Sequence, residues 1–232
     1  MINFFTPLEQ EAILLSLKVS LWAVSISLPF GIMLAYILSR YNFWGKAFIN
    51  ALVHLPLVLP PVVMGYLLLL GFGRNGFLGK YLYEIFGISI AFTWKGAALA
   101  SAIMAFPLMI KAIKLSLDAV DPKLEYAART LGASHIKILF TITLPLALPG
   151  IISGALLAFA RNLGEFGATI TFVSNIPGQT QTLPLALYTL TQSPGGEEAA
   201  FRLCCIAICI AMFALFGVNI LENSFAKLLG KK

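Results

Sequence analysis

Two ionisable residues in an apolar stretch are the first candidates for chemistry in this sequence. Arg161 and Glu165 stand four residues apart in FARNLGEFGATITFVS. On a helix that spacing lets the two side chains pair, and charged residues inside apolar segments commonly mark a path for ions or substrates. Two interpretations stay open. The pair neutralises itself and packs the helices, or Arg161 helps an anion through while Glu165 prevents tight trapping.

Other residues that often do chemistry are not arranged to do it here. The two histidines, His54 and His135, are far apart, and no Ser–His–Asp arrangement is evident. The three cysteines, Cys204, Cys205 and Cys209, share one apolar segment without zinc-site spacing. The sequence therefore predicts no catalytic set, no metal site and no cofactor bound by this chain.

A nucleotide site is not predicted either. Gly79-Lys80 resembles the end of a phosphate-binding loop, but Arg74 stands where that loop needs glycine, and Tyr81 follows where it needs Ser or Thr. If the protein works with ATP, we expect the ATPase to be another chain.

The composition predicts helices that cross a membrane. Of the 232 residues, 59% are hydrophobic and only 11% are charged, and a span needs about 20 apolar helical residues. Five segments qualify, in one domain that covers residues 1–232: Ala12–Leu38, Ala47–Leu70, Ile88–Ile110, Leu146–Thr171 and Leu203–Leu221. Gly150, Gly154 and Ala158 recur every four residues in the fourth segment, which predicts close helix packing.

The positive charges predict the orientation. With the N-terminus outside, most of the 16 basic residues fall in inner loops or the C-terminal tail, as the positive-inside rule requires. These inner residues are Arg40, Lys46, Lys111, Lys114, Lys123, Arg129, Lys137, Lys227, Lys231 and Lys232. The net charge of +6 is thus explained by a bilayer rather than by nucleic acid. We predict an N-out, C-in, multi-pass protein.

The second segment contains Pro56, Pro60 and Pro61, which cannot all belong to a regular helix. A break at membrane depth is tolerated only against protein or a water-filled path. We therefore expect this segment to face the interior of the bundle, either lining a translocation path or shaping the packing.

The interval Asp121–Pro149 mixes charge with apolar residues between two spans. Asp121 is a suitable N-cap, Pro122 suits the first helical position, and Gly132 can end the helix. Between them one face is apolar: Leu124, Ala127, Ala128 and Leu131. A second amphipathic run, His135–Leu144, then meets Pro145. The pattern predicts a helix, a glycine turn and a second short helix on the inner side, able to dock in a partner's groove.

This interval resembles the cytoplasmic EAA loop of ABC-importer permeases, which docks on the ATPase subunit. Ala127-Ala128, Gly132 and Ile142-x-Leu144-Pro145 fit that pattern. Tyr126 stands where the pattern has Glu, and Glu125 comes one residue early. That shift turns the carboxylate by about 100° around the helix, from where it can still reach a basic group of the partner. A helix lying at the membrane surface is the alternative.

Over nearly the whole chain the sequence resembles permease subunits of molybdate ABC importers. HLPLVLPPVVMGYLLLLGFGRNGF and FARNLGEFGATITFVSNIPGQT carry that resemblance. It implies an all-α, type I importer fold in the bacterial inner membrane. It also implies a permease homodimer, two ATPase subunits that hold ATP and magnesium, and a periplasmic oxyanion-binding protein. The long outer loop, about 174–201, could receive that protein or serve as a plain connector.

Other functions remain open at this point. Sulfate and tungstate permeases share the Gly-Glu-Phe-Gly element. A secondary carrier would commonly contain paired broken helices in two repeats, whereas one proline-broken span is evident here. A membrane-embedded assembly factor is a further alternative, and co-purification with an ATPase separates it and the carrier from an importer.

Overall fold

The structure is a computed structural model that describes residues 6–228, and within that range it is helical, without strands. The helices are α1 (Pro7–Arg40), α2 (Lys46–Val58), α3 (Pro61–Phe72), α4 (Phe77–Phe86), α5 (Trp94–Asp118), α6 (Pro122–Thr130), α7 (His135–Ile138), α8 (Leu144–Leu163), α9 (Gly167–Val173), α10 (Leu183–Thr191) and α11 (Glu197–Leu228). A π-helical segment, Leu139–Thr143, joins α7 to α8. Two residues of the predicted basic tail, Lys231 and Lys232, lie outside the described residues.

Among residues 6–228, four helical stretches are long and apolar enough to cross a membrane: Pro7–Arg40, Trp94–Asp118, His135–Leu163 and Glu197–Gly217. The pair α2–α3 makes a fifth if it counts as one span. The all-α membrane fold with about five spans is thereby confirmed. α1 begins at Pro7, before the predicted start at Ala12. The Thr6 side chain accepts from the Glu9 N–H, and the Glu9 carboxylate accepts from the Thr6 N–H, which together fix this helix start.

The second predicted span is broken, and it is not a single rod. α2 ends at Val58, α3 begins at Pro61, and their axes differ by 114°. Pro61 has no N–H to donate and is suited to a first helical turn, so the chain restarts there. Within this chain only one side of α3 is buried, at Met64, Gly65 and Leu68. The prediction that the segment faces the bundle interior therefore applies to that side alone.

The third span lies further along the chain than Ile88–Ile110. α5 begins at Trp94 because the Thr93 side chain caps it through the Gly96 N–H. Residues 87–93 are not helical, and the φ of 59° at Phe92 prevents α5 from continuing backwards through that position. The helix then runs to Asp118, and α6 begins shortly afterwards at Pro122.

The second short helix of the inner interval is not separate. α7, the π segment and α8 form one long candidate span, His135–Leu163. In the π segment the Leu144 N–H bonds to the Leu139 carbonyl. The wider turn relieves the clash that the Pro145 ring would make with the carbonyl four residues earlier. The predicted end at Thr171 is also wrong, because the chain breaks between α8 and α9.

α5 is the centre of the bundle. It packs against α1 and α8 in a core that includes Leu38, Met109 and Ile151. A second core, which includes Val19 and Phe172, joins α1, α3, α5 and α9. The termini of α1, α5 and α6 meet at one end, which contains Arg40, Lys46, Lys114, Lys123, Arg129 and Lys137. We call this the basic end.

The outer loop 174–201 is largely folded onto the bundle. Its apolar patch forms α10, in which Leu183, Leu185 and Ala186 are buried. The Leu183 N–H donates to the Ser16 hydroxyl of α1 at 2.6 Å. One side of this apolar patch therefore belongs to the interior of this chain, while Tyr188 on the other side is 48% exposed.

Candidate functional site

α6 is a short helix at the basic end with defined boundaries. The Asp121 carboxylate accepts from the Lys123 N–H at 2.9 Å, and Pro122 occupies the first turn. Gly132 ends it with a φ of +83°, a conformation that other residues adopt only with strain. The predicted helix and glycine turn are therefore present.

The apolar face of α6 points away from the bundle. Leu131 is 88% exposed and Leu124 47% exposed, while Ala127 is exposed and Ala128 half-buried. Apolar groups clustered on a surface commonly mark a binding site. The small alanines leave room for the walls of a groove to approach the helix backbone.

Two further apolar side chains extend this surface beyond the residues identified in the sequence. Ile136 is 71% exposed and Phe140 65% exposed, one on α7 and the other on the π segment. Their four-residue spacing was a usable signal in the sequence, but nothing there showed that this side faces outward. We call Leu124, Ala127, Leu131, Ile136 and Phe140 the exposed apolar surface.

Glu125 points in the opposite direction, into the chain itself. It is the one buried residue of α6. Its Oε1 accepts from an Nη of Arg40 at 2.8 Å and from the hydroxyl of Thr143 at 2.9 Å. Its basic partner is therefore Arg40 of α1, and the expectation that this carboxylate reaches a partner protein is not supported by its position.

The remaining residues of the EAA-like pattern lie at the base of the long rod. Ile142 lies within the π segment, one residue before its end, and is half-buried. Leu144 packs against the core of α1, α5 and α8, and Pro145 is exposed in the first turn of α8. They shape the connection between the exposed apolar surface and α8, and they do not belong to that surface.

The proline break and the start of α9 are brought together near the opposite end. A methyl group on Gly167 would lie 2.7 Å from the Pro61 side chain, and one on Gly65 would lie 2.6 Å from the Ala168 carbonyl. Pro56 is buried inside α2, whereas Pro60 is exposed at the break. Two chain breaks, α2–α3 and α8–α9, therefore meet through glycines.

Arg161 and Glu165 form the ion pair that their spacing predicts. An Nη of Arg161 lies 2.9 Å from Glu165 Oε2, and Glu165 is buried. The other oxygen, Oε1, accepts from the Ala168 N–H at 2.9 Å. Glu165 thus joins the end of α8 to the start of α9. Arg161 lies in the last turn of α8, rather than in the middle of a span that continues to Thr171.

Comparison with known proteins gives a family match and close relatives. Residues 27–232 match the family described as "Binding-protein-dependent transport system inner membrane component". The chain is 64% identical over 210 residues to the molybdenum transport system permease protein ModB of Escherichia coli K12, covering 90% of this chain and 92% of that one. The protein of the same name from Haemophilus influenzae is 57% identical over 224 residues, covering 97% and 98%. The sulfate transport system permease protein CysT of Salmonella typhimurium is 35% identical over 198 residues, covering 85% and 71%.

Solved structures share the fold at low identity. A bacterial alginate ABC transporter in complex with its pentasaccharide-bound periplasmic protein contains a chain that matches with a TM-score of 0.75 and 17% identity, covering 97% of this chain and 81% of that one. A chain of the inward-facing MetNI methionine ABC transporter matches with a TM-score of 0.66 and 16% identity, covering 93% of each. At such identities the likeness establishes the architecture alone.

Proposed function

Because this chain belongs to the family of binding-protein-dependent transport system inner membrane components, we propose that it is the membrane subunit of an ATP-driven importer of molybdate. The anion passes from an external binding protein through the inner membrane to the cytoplasm. The 64% identity to the molybdenum permease, against 35% to the sulfate permease, supports molybdate over its relatives.

The exposed apolar surface is the observation that carries the coupling role. A short helix at the basic end presents Leu124 and Leu131 to the outside, although burial of each side chain is worth about 1.5–3 kcal/mol. An ATPase subunit with an apolar groove on the cytoplasmic side would cover them. Helix-in-groove docking of this kind uses anchors at the spacing found here.

The proposed complex contains two copies of this chain, two ATPase subunits and one periplasmic oxyanion-binding protein. ATP and magnesium belong to the ATPase subunits, since this sequence contains no phosphate-binding loop. The outward sides of α2 and α3 carry exposed apolar residues, including Val58, Val62 and Tyr66, and suit contact with lipid or a second copy. Residues 1–232 act as one domain.

Transport proceeds by alternating access in this proposal. The ATPase pair closes on ATP and carries α6 with it, so that each membrane subunit rocks and the path opens outward. The binding protein selects the anion, and the membrane subunit needs only weak sites along the path. The candidate residues for the path or its gate are Pro56, Pro60, Pro61, Arg161 and Glu165. For the Arg161–Glu165 pair, packing of the helices is the alternative role.

Reconstitution tests the proposal directly. The chain is inserted into liposomes with its co-expressed ATPase and binding protein, and uptake of labelled molybdate is measured with and without ATP. Unlabelled molybdate, tungstate and sulfate then compete at equal concentration. We expect uptake that requires ATP and the binding protein, with sulfate the weakest competitor.

Two results would contradict the proposal. Uptake that proceeds without the ATPase identifies a secondary carrier or channel. A complex that contains the ATPase but shows no ATP-dependent flux for any of the three anions identifies a membrane protein with another role.

A further inference from the structure

A polar cluster at the basic end joins three separate elements. The guanidinium of Arg40, at the end of α1, donates to Glu125 Oε1 on α6 at 2.8 Å. The hydroxyl of Thr143, in the π segment, donates to the same oxygen at 2.9 Å. Arg40 also approaches the Val120 carbonyl, in the connection between α5 and α6, at 3.4 Å. We call Arg40, Glu125 and Thr143 the charged cluster.

The charged cluster is largely shielded from water. The side chains of Arg40 and Glu125 are 16% and 11% exposed, and Thr143 is buried. A shielded ion pair is screened less by solvent and salt than an exposed one. Loss of one partner leaves a buried charge without compensation, which is strongly unfavourable. The three side chains therefore tend to move as a unit.

Apolar contacts do little to hold α6 to the bundle. Its apolar face is exposed, and Glu125 is its one buried residue. The charged cluster is accordingly the main side-chain attachment of α6 to α1 and to the π segment. A force applied to the exposed apolar surface passes into the chain at Glu125.

The two elements that receive this force are suited to transmit it. α1 and the His135–Leu163 rod are both candidate spans, and both pack against α5. Thr143 lies in the π segment, and such widened turns are places where a helix bends. A displacement of α6 therefore acts on α1 at its end, through Arg40, and on the His135–Leu163 rod at the π segment, through Thr143.

We infer that the charged cluster is the mechanical link that converts movement of α6 into movement of the spans, so that Glu125 transmits the force inside this chain and does not contact the ATPase. Arg40 and Thr143 are positioning residues that act through Glu125. This inference rests on the proposed function. It assigns the coupling of ATP hydrolysis to transport to three named side chains.

The test measures two rates in the reconstituted complex: ATP hydrolysis stimulated by the binding protein, and molybdate uptake. Glu125→Gln keeps the shape of the side chain and removes its charge, Arg40→Met removes the other charge, and Thr143→Val removes one hydrogen bond. We expect the complex to assemble with each variant. Molybdate transported per ATP should fall about fivefold or more in the first two, and less in Thr143→Val.

A matched control and a rescue accompany these variants. Lys114 also stands near the inner end of a long helix and pairs with a carboxylate, Asp118, but neither residue lies on α6. Lys114→Met should leave the transport ratio unchanged. The exchanged pair, Arg40→Glu with Glu125→Arg, should move the ratio back toward the wild-type value, because coupled residues show non-additive effects.

The outcomes separate this inference from the proposed function. A wild-type complex without ATP-dependent molybdate uptake contradicts the proposed function. An active wild-type complex whose transport ratio is unchanged in Glu125→Gln and Arg40→Met contradicts the inference alone. Failure of Glu125→Gln and of the exchanged pair to assemble with the ATPase also contradicts it, since the cluster would then serve only folding or docking.

Discussion

The backbone of Gly150 on α8 lies directly against the side chain of Ser116 on α5, so that a methyl group at position 150 would overlap the Ser116 Cβ. The Ser116 hydroxyl also donates to the carbonyl of Ala147, which lies on α8 like Gly150, at 3.3 Å. One turn further, a methyl group on Gly154 would lie 3.0 Å from the Met109 carbonyl. The four-residue spacing of small residues thus produces the predicted close packing of two spans.

This contact predicts the effect of added volume on α8. Gly150→Ala should lower the free energy of unfolding by about 1–3 kcal/mol, because overpacking forces neighbouring atoms to shift. Thermal unfolding in detergent measures the change. Gly150→Ala combined with Ser116→Gly should recover part of the loss. Gly71→Ala, where a methyl group meets no atom within 4 Å, is the matched control, and an equal loss there would contradict the explanation.

A second prediction concerns the ion pair between the two terminal spans. An Nη of Arg202 on α11 lies 2.9 Å from Oε1 of Glu9 on α1, and Glu9 is buried. Arg202→Met should reduce stability by about 1–3 kcal/mol, because a hydrogen bond to a buried charge is lost. Lys80→Met removes an exposed pair with Glu84 and should cost at most about 1 kcal/mol. Similar melting temperatures for both variants would show that burial of Glu9 does not matter.

The role of Glu165 predicts an order among its variants. Glu165→Gln retains an oxygen for the Ala168 N–H but loses the charge that faces Arg161, whereas Glu165→Ala loses both contacts. Unfolding temperatures should therefore fall from wild type to Gln to Ala. Equal temperatures for the two variants would mean that the oxygen which joins α8 to α9 contributes nothing.

Arg161→Ala separates the two interpretations of this pair. If the pair only packs the helices, molybdate uptake per assembled complex should stay within about twofold of wild type, well under the tenfold that 1.4 kcal/mol produces. We expect this result, because a paired arginine offers little net field to a passing anion. A large loss of uptake from a fully assembled complex would instead assign Arg161 to the path.

The exposed apolar surface predicts which substitution separates this chain from an ATPase. Leu131→Asp places a charge where an apolar groove would lie, and should abolish co-purification with the ATPase subunit while leaving the melting temperature unchanged, since Leu131 touches little of its own chain. The control is Ile85→Asp, on the similarly short helix α4, where Ile85 is 68% exposed. This variant should retain the ATPase. Retention by Leu131→Asp would place the docking surface elsewhere.

Local patterns in the sequence were sufficient for much of the fold. The length of the apolar runs determines that the chain is a membrane protein with about five spans, because backbone groups in lipid must be satisfied within helices. Asp121, Pro122 and Gly132 determine where α6 begins and ends, because capping depends on neighbouring residues alone. The resemblance to importer permeases is likewise confirmed by the family match and the close relatives.

The direction in which a side chain or a helix face points, and the distant residues that it contacts, were decided only by the tertiary structure. The sequence gives Glu125 a place on a helix, but whether it meets a partner protein or Arg40, 85 positions earlier, depends on how α1 and α6 are packed. The same holds for the 114° turn at the prolines and for the apolar patch that folds inward as α10. Periodicity fixes which residues share a face, whereas the contacts of that face depend on elements far away in the chain.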